Sequence, residues 1–244
     1  MRTLLTVIAL AGSPLLAFAQ APAPTAGKFE TKVFKNEDGH ESPYVLYVPP
    51  GYDGSKPFPL ILFLHGSGET KGGGTMPVDQ GIGTHIRGKL IKKIPALVLI
   101  PQAETRSWQA DGPNGKRAMA MLAEVEKEYK VDSARIYLTG LSMGGYGTWS
   151  LAAAYPEKWA AIVPICGGGN PADADKIKHI PCWVWHGDKD QAVKVERSRD
   201  MVAALKKAGG TPRYTELEEI GHFSWDAAYA SEDLYAWLFA QKKP

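Results

Sequence analysis

One sharp strand-to-helix transition constrains this chain more than any other feature. Arg135 to Thr139 reads as a strand, Gly140-Leu141-Ser142-Met143-Gly144 follows, and Ser142 to Tyr155 reads as a helix stopped by Pro156. A G-x-S-x-G pentapeptide means little alone, because glycine and serine are common. Between a strand and a helix it means more, because glycines permit a turn too tight for side chains on both flanks. Such a turn lifts the Ser142 hydroxyl above a sheet, at the positive end of the helix that follows. The simpler reading, that Ser142 only caps the helix, would leave the two flanking glycines unexplained.

The surrounding pattern fits a parallel sheet. Phe29 to Phe34 and Tyr44 to Val48 alternate in polarity around Asn36-Glu37-Asp38-Gly39, which predicts an antiparallel hairpin. Leu60 to Leu64 and Ala96 to Ile100 are continuous apolar runs, as in strands covered on both faces. Lys116 to Tyr129 carries Ala118, Met121, Leu122, Val125 and Tyr129 at helical spacing. Ala160 to Ile165, Cys182 to Trp185 and Arg213 to Leu217 read as further strands. Val195 to Ala208, ended by Gly209-Gly210, and Asp233 to Ala240 read as helices. The expected fold class is therefore α/β: a mostly parallel sheet, antiparallel N-terminal strands, and helices on both faces. Ligands of such sheets bind beyond the carboxyl ends of the strands, so chemistry is sought in the loops that follow them.

The 244 residues exclude several other classes. A net charge of +2 provides no electrostatic basis for binding nucleic acid. Two cysteines cannot form a disulfide-dense scaffold or a cysteine-rich zinc site. Parallel neighbouring strands would put Cys166 and Cys182 at opposite ends of the sheet, so both are expected to be free buried thiols. Arg2, the apolar stretch Leu4 to Leu16 and Ala17-Phe18-Ala19 have the order of a cleavable signal peptide. The expected organisation is a signal peptide over 1–19, a flexible Ala/Pro-rich lead-in over 20–27, and one domain over 28–244. The apolar run is interrupted by Gly12-Ser13-Pro14 and too short to span a bilayer. A secreted or periplasmic protein without a membrane partner is expected, with a monomer favoured.

Leu64-His65-Gly66-Ser67-Gly68 ends the strand from Leu60. Its glycines would let an amide face Ser142, which makes Ser67, with Gly66 beside it and Met143 across from it, the candidate oxyanion donors. His65 is expected to brace this loop. Gly72-Gly73-Gly74 lacks the Lys-Ser/Thr of a phosphate loop and reads as a mobile segment. A serine nucleophile needs a base and an orienting carboxylate. Of six histidines, only His222 follows a strand end late enough in the chain; His186 comes too early, beginning the loop after Cys182 to Trp185. The acid is expected in His186-Gly187-Asp188-Lys189-Asp190, which offers two aspartates: Asp188, early in the turn, suits its stabilisation, and Asp190, further out, is favoured as better placed to reach His222. Asp226 is expected to start a short helix. Trp108 and Trp225, both on the active side, and Glu69 are candidate substrate contacts. Trp149, Trp183 and Trp185 are expected in the core.

These residues resemble the α/β-hydrolase superfamily. More narrowly, they resemble secreted bacterial phospholipase/carboxylesterase, polyhydroxybutyrate-depolymerase-like and feruloyl-esterase-like proteins. The carriers are Leu64-His65-Gly66-Ser67-Gly68-Glu69, Thr139-Gly140-Leu141-Ser142-Met143-Gly144-Gly145, Trp185-His186-Gly187-Asp188-Lys189-Asp190 and Gly221-His222-Phe223-Ser224-Trp225-Asp226, together with the run from Asp132 to Tyr137. The resemblance spans about Phe29 to Leu238. It implies Ser142, Asp190 and His222 as a triad, and favours Asp190 over Asp188. It implies hydrolysis of carboxylic esters without metal or organic cofactor. Phe223 departs from the small or polar residue common at its position. Only about sixteen residues, Cys166 to Pro181, separate two strands where a lid would be inserted, so no large lid is expected. An open site suits small, polysaccharide or polyester esters with short or aromatic acyl groups. Alternatives are a serine peptidase and a non-catalytic binding protein on the same scaffold.

Overall fold

A computed structural model describes residues 27–36, 39–72, 76–90 and 94–244, with the side chains of 89 and 90 left aside. The expected signal peptide, nearly all of the lead-in, Glu37 and Asp38 of the hairpin, and Gly73 and Gly74 lie outside these residues.

The strands are β1 Lys28–Lys35, β2 Glu41–Val48, β3 Phe58–Leu64, β4 Leu97–Pro101, β5 Val131–Leu141, β6 Ala161–Ile165, β7 Trp183–Gly187 and β8 Arg213–Leu217. The helices are α1 Ile82–His85, α2 Pro113–Glu128, α3 Met143–Ala154, α4 Ala174–Ile177, α5 Glu196–Lys207, α6 Ser224–Ala230 and α7 Glu232–Ala240. One sheet runs β1-β2-β4-β3-β5-β6-β7-β8. β1 and β2 form an antiparallel hairpin, and β2 pairs antiparallel with β4. From β4 to β8 all pairing is parallel.

Strand side chains alternate between the faces. Leu60, Leu62 and Leu64 pack with Leu122 and Val125 of α2, Trp149 of α3 and Met201 of α5. Ile61 and Phe63 enter the opposite layer with Ile82 of α1, Tyr229 of α6 and Leu238 of α7. A strand covered on both faces has no solvated side, which is why β3 reads as an unbroken apolar run. Each such leucine stabilises the fold by roughly 1.5–3 kcal/mol.

Several boundaries differ from the sequence reading. α2 begins at Pro113, behind Gly112, because proline suits the first turn of a helix. β7 extends through His186 to Gly187, so His186 is a buried strand residue and does not begin a loop. Periodicity gave no sign of α1 and the π turn Ile86–Leu90, a segment anchored by the buried Ile82 and Ile86. Asp226 lies in the first turn of α6, as expected. Cys166 and Cys182 are free and buried. Between β6 and β7 stand only a 3-10 turn and α4, so no large lid is present there. Among the described residues no helix is long and apolar enough to cross a membrane.

Candidate active site

Ser142 follows β5 directly. Its amide bonds the Ile165 carbonyl of neighbouring β6 at 2.9 Å. Its backbone has φ 54° and ψ −115°, a region that non-glycine residues avoid. The crowding at the turn explains the flanking glycines. A Cβ on Gly144 would overlap the Leu64 carbonyl, and one on Gly140 would overlap the Gly144 carbonyl. Ser142 makes no side-chain capping bond to α3. Its Oγ lies 2.9 Å from His222 Nε2 instead.

His222 and Asp190 meet because two loops are joined along their backbones. The Asp188 amide bonds Leu217 O at 3.0 Å, and the Lys189 amide bonds Ile220 O at 2.9 Å. A side chain at Gly187 would collide with the Ile220 and Gly221 carbonyls. The loop after β7 thus lies against the loop after β8. Asp190 Oδ2 accepts from His222 Nδ1 at 2.7 Å. Asp190 Oδ1 accepts the amides of Ala192 and Val193 at 2.8 and 2.9 Å. Burial pushes the Asp190 carboxyl toward its neutral form, but the His222 and Val193 hydrogen bonds outweigh this and hold it below the usual carboxylate range. The histidine's hydrogen bond goes to Asp190, whereas Asp188 stays beside the turn.

Ser142 opens on a cleft of about 310 Å³ lined by Ser67, Arg106, Ser107, Trp108, Gln109, Met143 and Tyr146. Ser67 and Met143 line this cleft together with Ser142, and Gly66 precedes Ser67 at the start of a short 3-10 turn. His65 is fully buried: its Nδ1 donates to Gly66 O at 2.6 Å and its Nε2 accepts from the Ala103 amide at 2.9 Å. Burial lowers its pKa to about 4. Trp108 donates its indole N–H to His65 O at 3.0 Å. These contacts hold the loop after β3 against the loop after β4.

Two expected substrate contacts lie elsewhere. Glu69 is buried beneath the His65 loop and does not line the cleft, because the 3-10 turn Ser67–Glu69 swings it inward, 3.8 Å from His65 Nδ1. Trp225 is 5 % exposed and packs edge-on to the His222 ring, 5.2 Å away, since α6 folds back onto the sheet. Trp108 lines the cleft although it is 2 % exposed. Arg106, Ser107, Gln109 and Tyr146 also line the cleft, and none of them belongs to a motif visible in the sequence. Arg106 to Gln109 surround Trp108 in the loop after β4, and that position is the signal that could have found them. Phe223, 64 % exposed, stands beside His222 and Trp225. Trp149 is core, and Trp183 and Trp185 pack together at 5.3 Å.

Cys166, Asp190 and His222 bring one possible metal-ligand atom each within 4.8 Å of one another. Asp190 and His222 are already bonded to each other, and burial pushes the Cys166 thiol up to about 12, so this set favours a proton over an ion.

A hydroxyl, an imidazole and a carboxylate on loops beyond parallel strands, in the chain order Ser, Asp, His, define this molecule as an α/β-hydrolase. The family model "Esterase" matches residues 36–222, and the chain belongs to that family of carboxylic ester hydrolases. It is 28 % identical over 217 residues to "Probable feruloyl esterase C" of Aspergillus terreus, covering 85 % of this chain and 76 % of the relative. It is also 28 % identical to "Feruloyl esterase C" of Emericella nidulans, covering 72 % of this chain and 65 % of that one. The crystal structure of a thermostable esterase superposes with a TM-score of 0.78 and 36 % identity, over 88 % of this chain and 63 % of that chain's length.

Proposed function

We propose that this chain is a serine esterase that cleaves short-chain or aromatic acyl esters of carbohydrate or polymer type. The continuous hydrogen-bonded line from Ser142 through His222 to Asp190, opening on the cleft, carries this reading. His222 Nε2 takes the Ser142 proton as Oγ attacks the ester carbonyl. Asp190 holds the ring with Nδ1–H inward and stabilises the imidazolium. The tetrahedral oxygen anion is met by the amides of Met143, at the positive end of α3, and Ser67, each worth roughly 3–4 kcal/mol. His222 then protonates the leaving alcohol. Water, deprotonated by the same histidine, attacks the acyl-enzyme and releases the acid and Ser142.

The cleft supports the substrate class. Arg106, Ser107, Gln109 and Tyr146 offer polar groups beside the Trp108 ring, a combination suited to an oxygen-rich sugar or phenolic acid. The feruloyl esterase relatives support the same class. The segment 1–19 is read as the signal for export to the periplasm or medium.

Initial rates on p-nitrophenyl acyl esters, acetylated xylan and methyl ferulate, for wild type and Ser142→Ala, test the reading. Activity lost in the variant is expected, and the preferred ester names the substrate. A wild type inactive on all esters overturns it. Peptide turnover would then indicate a peptidase, and no turnover at all a binding protein.

A further inference from the structure

Beneath the site lies a second histidine that the mechanism above does not use. His186 is completely buried. Its Nε2 is 3.2 Å from Asp190 Oδ2 and 2.9 Å from Val193 O. Both neighbours are acceptors, so Nε2 must carry a proton. Its Nδ1 is 2.7 Å from Ser198 Oγ. Burial lowers the basicity of His186, outweighing the pull of the neighbouring Asp190 carboxylate, and so favours the neutral ring. Nδ1 is therefore an acceptor, and the Ser198 hydroxyl donates to it rather than to Gly167 O, which is further away at 3.2 Å. The acceptors at Nε2 thus fix the tautomer of His186: Nε2–H bonds Val193 O with Asp190 Oδ2 close by, and the Ser198 hydroxyl satisfies Nδ1.

We infer that His186 is a positioning residue: its Nε2–H, bonded to Val193 O, also faces the Asp190 Oδ2 that His222 uses, steadying the carboxylate and tempering its pull on the imidazole. The inference rests on the triad reading above. Without this donor, Asp190 keeps more of its negative charge for His222. The protonated ring is then stabilised, and the base is lost at a higher pH. The groups that face His222 are Asp190 from the loop after β7, Ser142 from the β5–α3 turn and the buried Cys166 thiol after β6, with the Phe223 and Trp225 rings beside it. Lys189 and Glu219, on the two joined loops, pair with each other at 3.1 Å. Glu216, the β8 residue in register with His186, is paired with Arg199 of α5 at 2.6 Å.

The test is the pH profile of kcat/KM on the best ester for wild type, His186→Asn, His186→Gln and Ser198→Ala, with Tm recorded for each. Asparagine places its amide near the Nδ1 position and loses the donor to Asp190; glutamine places an N–H near Nε2 and keeps it. In His186→Asn the acidic limb moves up by about half a pH unit and kcat falls about tenfold with KM little changed, the scale of one hydrogen bond to a charged group. His186→Gln restores the limb. Ser198→Ala, which leaves the His186 ring but removes the hydroxyl that holds it at Nδ1, moves the limb in the same direction by less, and serves if His186→Asn does not fold. Limbs that coincide in an active wild type and in Ser198→Ala, or shifts that are equal in the Asn and Gln variants, overturn the role of His186. A wild type inactive on every ester instead overturns the triad reading.

Discussion

His65 Nε2 accepts the Ala103 amide hydrogen at 2.9 Å, joining residues 38 positions apart. With Nδ1 donating to Gly66 O, the ring ties the loop that carries Ser67 to the loop that carries Trp108. His65→Leu should therefore misplace the Ser67 amide. The expected result is a fall in kcat of about 10²-fold with KM little changed, the scale of one lost oxyanion donor, measured by steady-state ester hydrolysis.

The same ring makes stability depend on pH. A histidine whose folded pKa, about 4, lies below the ordinary 6.5 binds its proton more readily when unfolded. Its contribution is complete above about pH 6.5 and is lost as pH falls toward 4. The loss amounts to about 3 kcal/mol at most. His186, shifted in the same direction by burial, adds to the effect. Urea unfolding at several pH values should show stability declining across this window, and His65→Gln should flatten the decline.

Ser142 holds φ 54° where glycine would be at ease. Ser142→Gly should be inactive yet more stable than Ser142→Ala by about 1 kcal/mol, because the strained backbone is relieved. Calorimetry should find its Tm about 2–4 °C higher for a domain of this size.

Asp190→Asn keeps an oxygen for the Ala192 and Val193 amides, so the fold should persist. The amide can no longer select the tautomer of His222 as the carboxylate does, and kcat should fall by about 10⁴-fold. An unchanged circular dichroism spectrum with near-normal kcat would contradict the role assigned to Asp190.

The segment 1–19 makes a separate prediction. Protein recovered from the medium or periplasm of an expressing bacterium should begin at Gln20, as read by N-terminal sequencing.

The alternation of apolar runs with helix-spaced segments was enough to predict the α/β order, because strands covered on both faces cannot hide their composition. The glycines around Ser142 also declared themselves, since the turn leaves no room for Cβ atoms. Ser142, Asp190 and His222 were legible as candidates because chain order and strand ends restrict where such residues can stand. Tertiary packing alone decided the rest. Glu69 and Trp225 lie on the active side of the sheet, yet the 3-10 turn and α6 carry them inward, a result of local backbone direction that no spacing encodes. Arg106, Ser107, Gln109 and Tyr146 share a cleft only because the β4 loop meets the start of α3. His186 reads in sequence as the first residue of a loop. It is β7 running two residues further, against a loop bonded to the end of β8, that places its N–H beside Asp190. A sequence states which side chains are available. Distances between loops are set by sheet register and backbone hydrogen bonds, which exist only once the chain has folded.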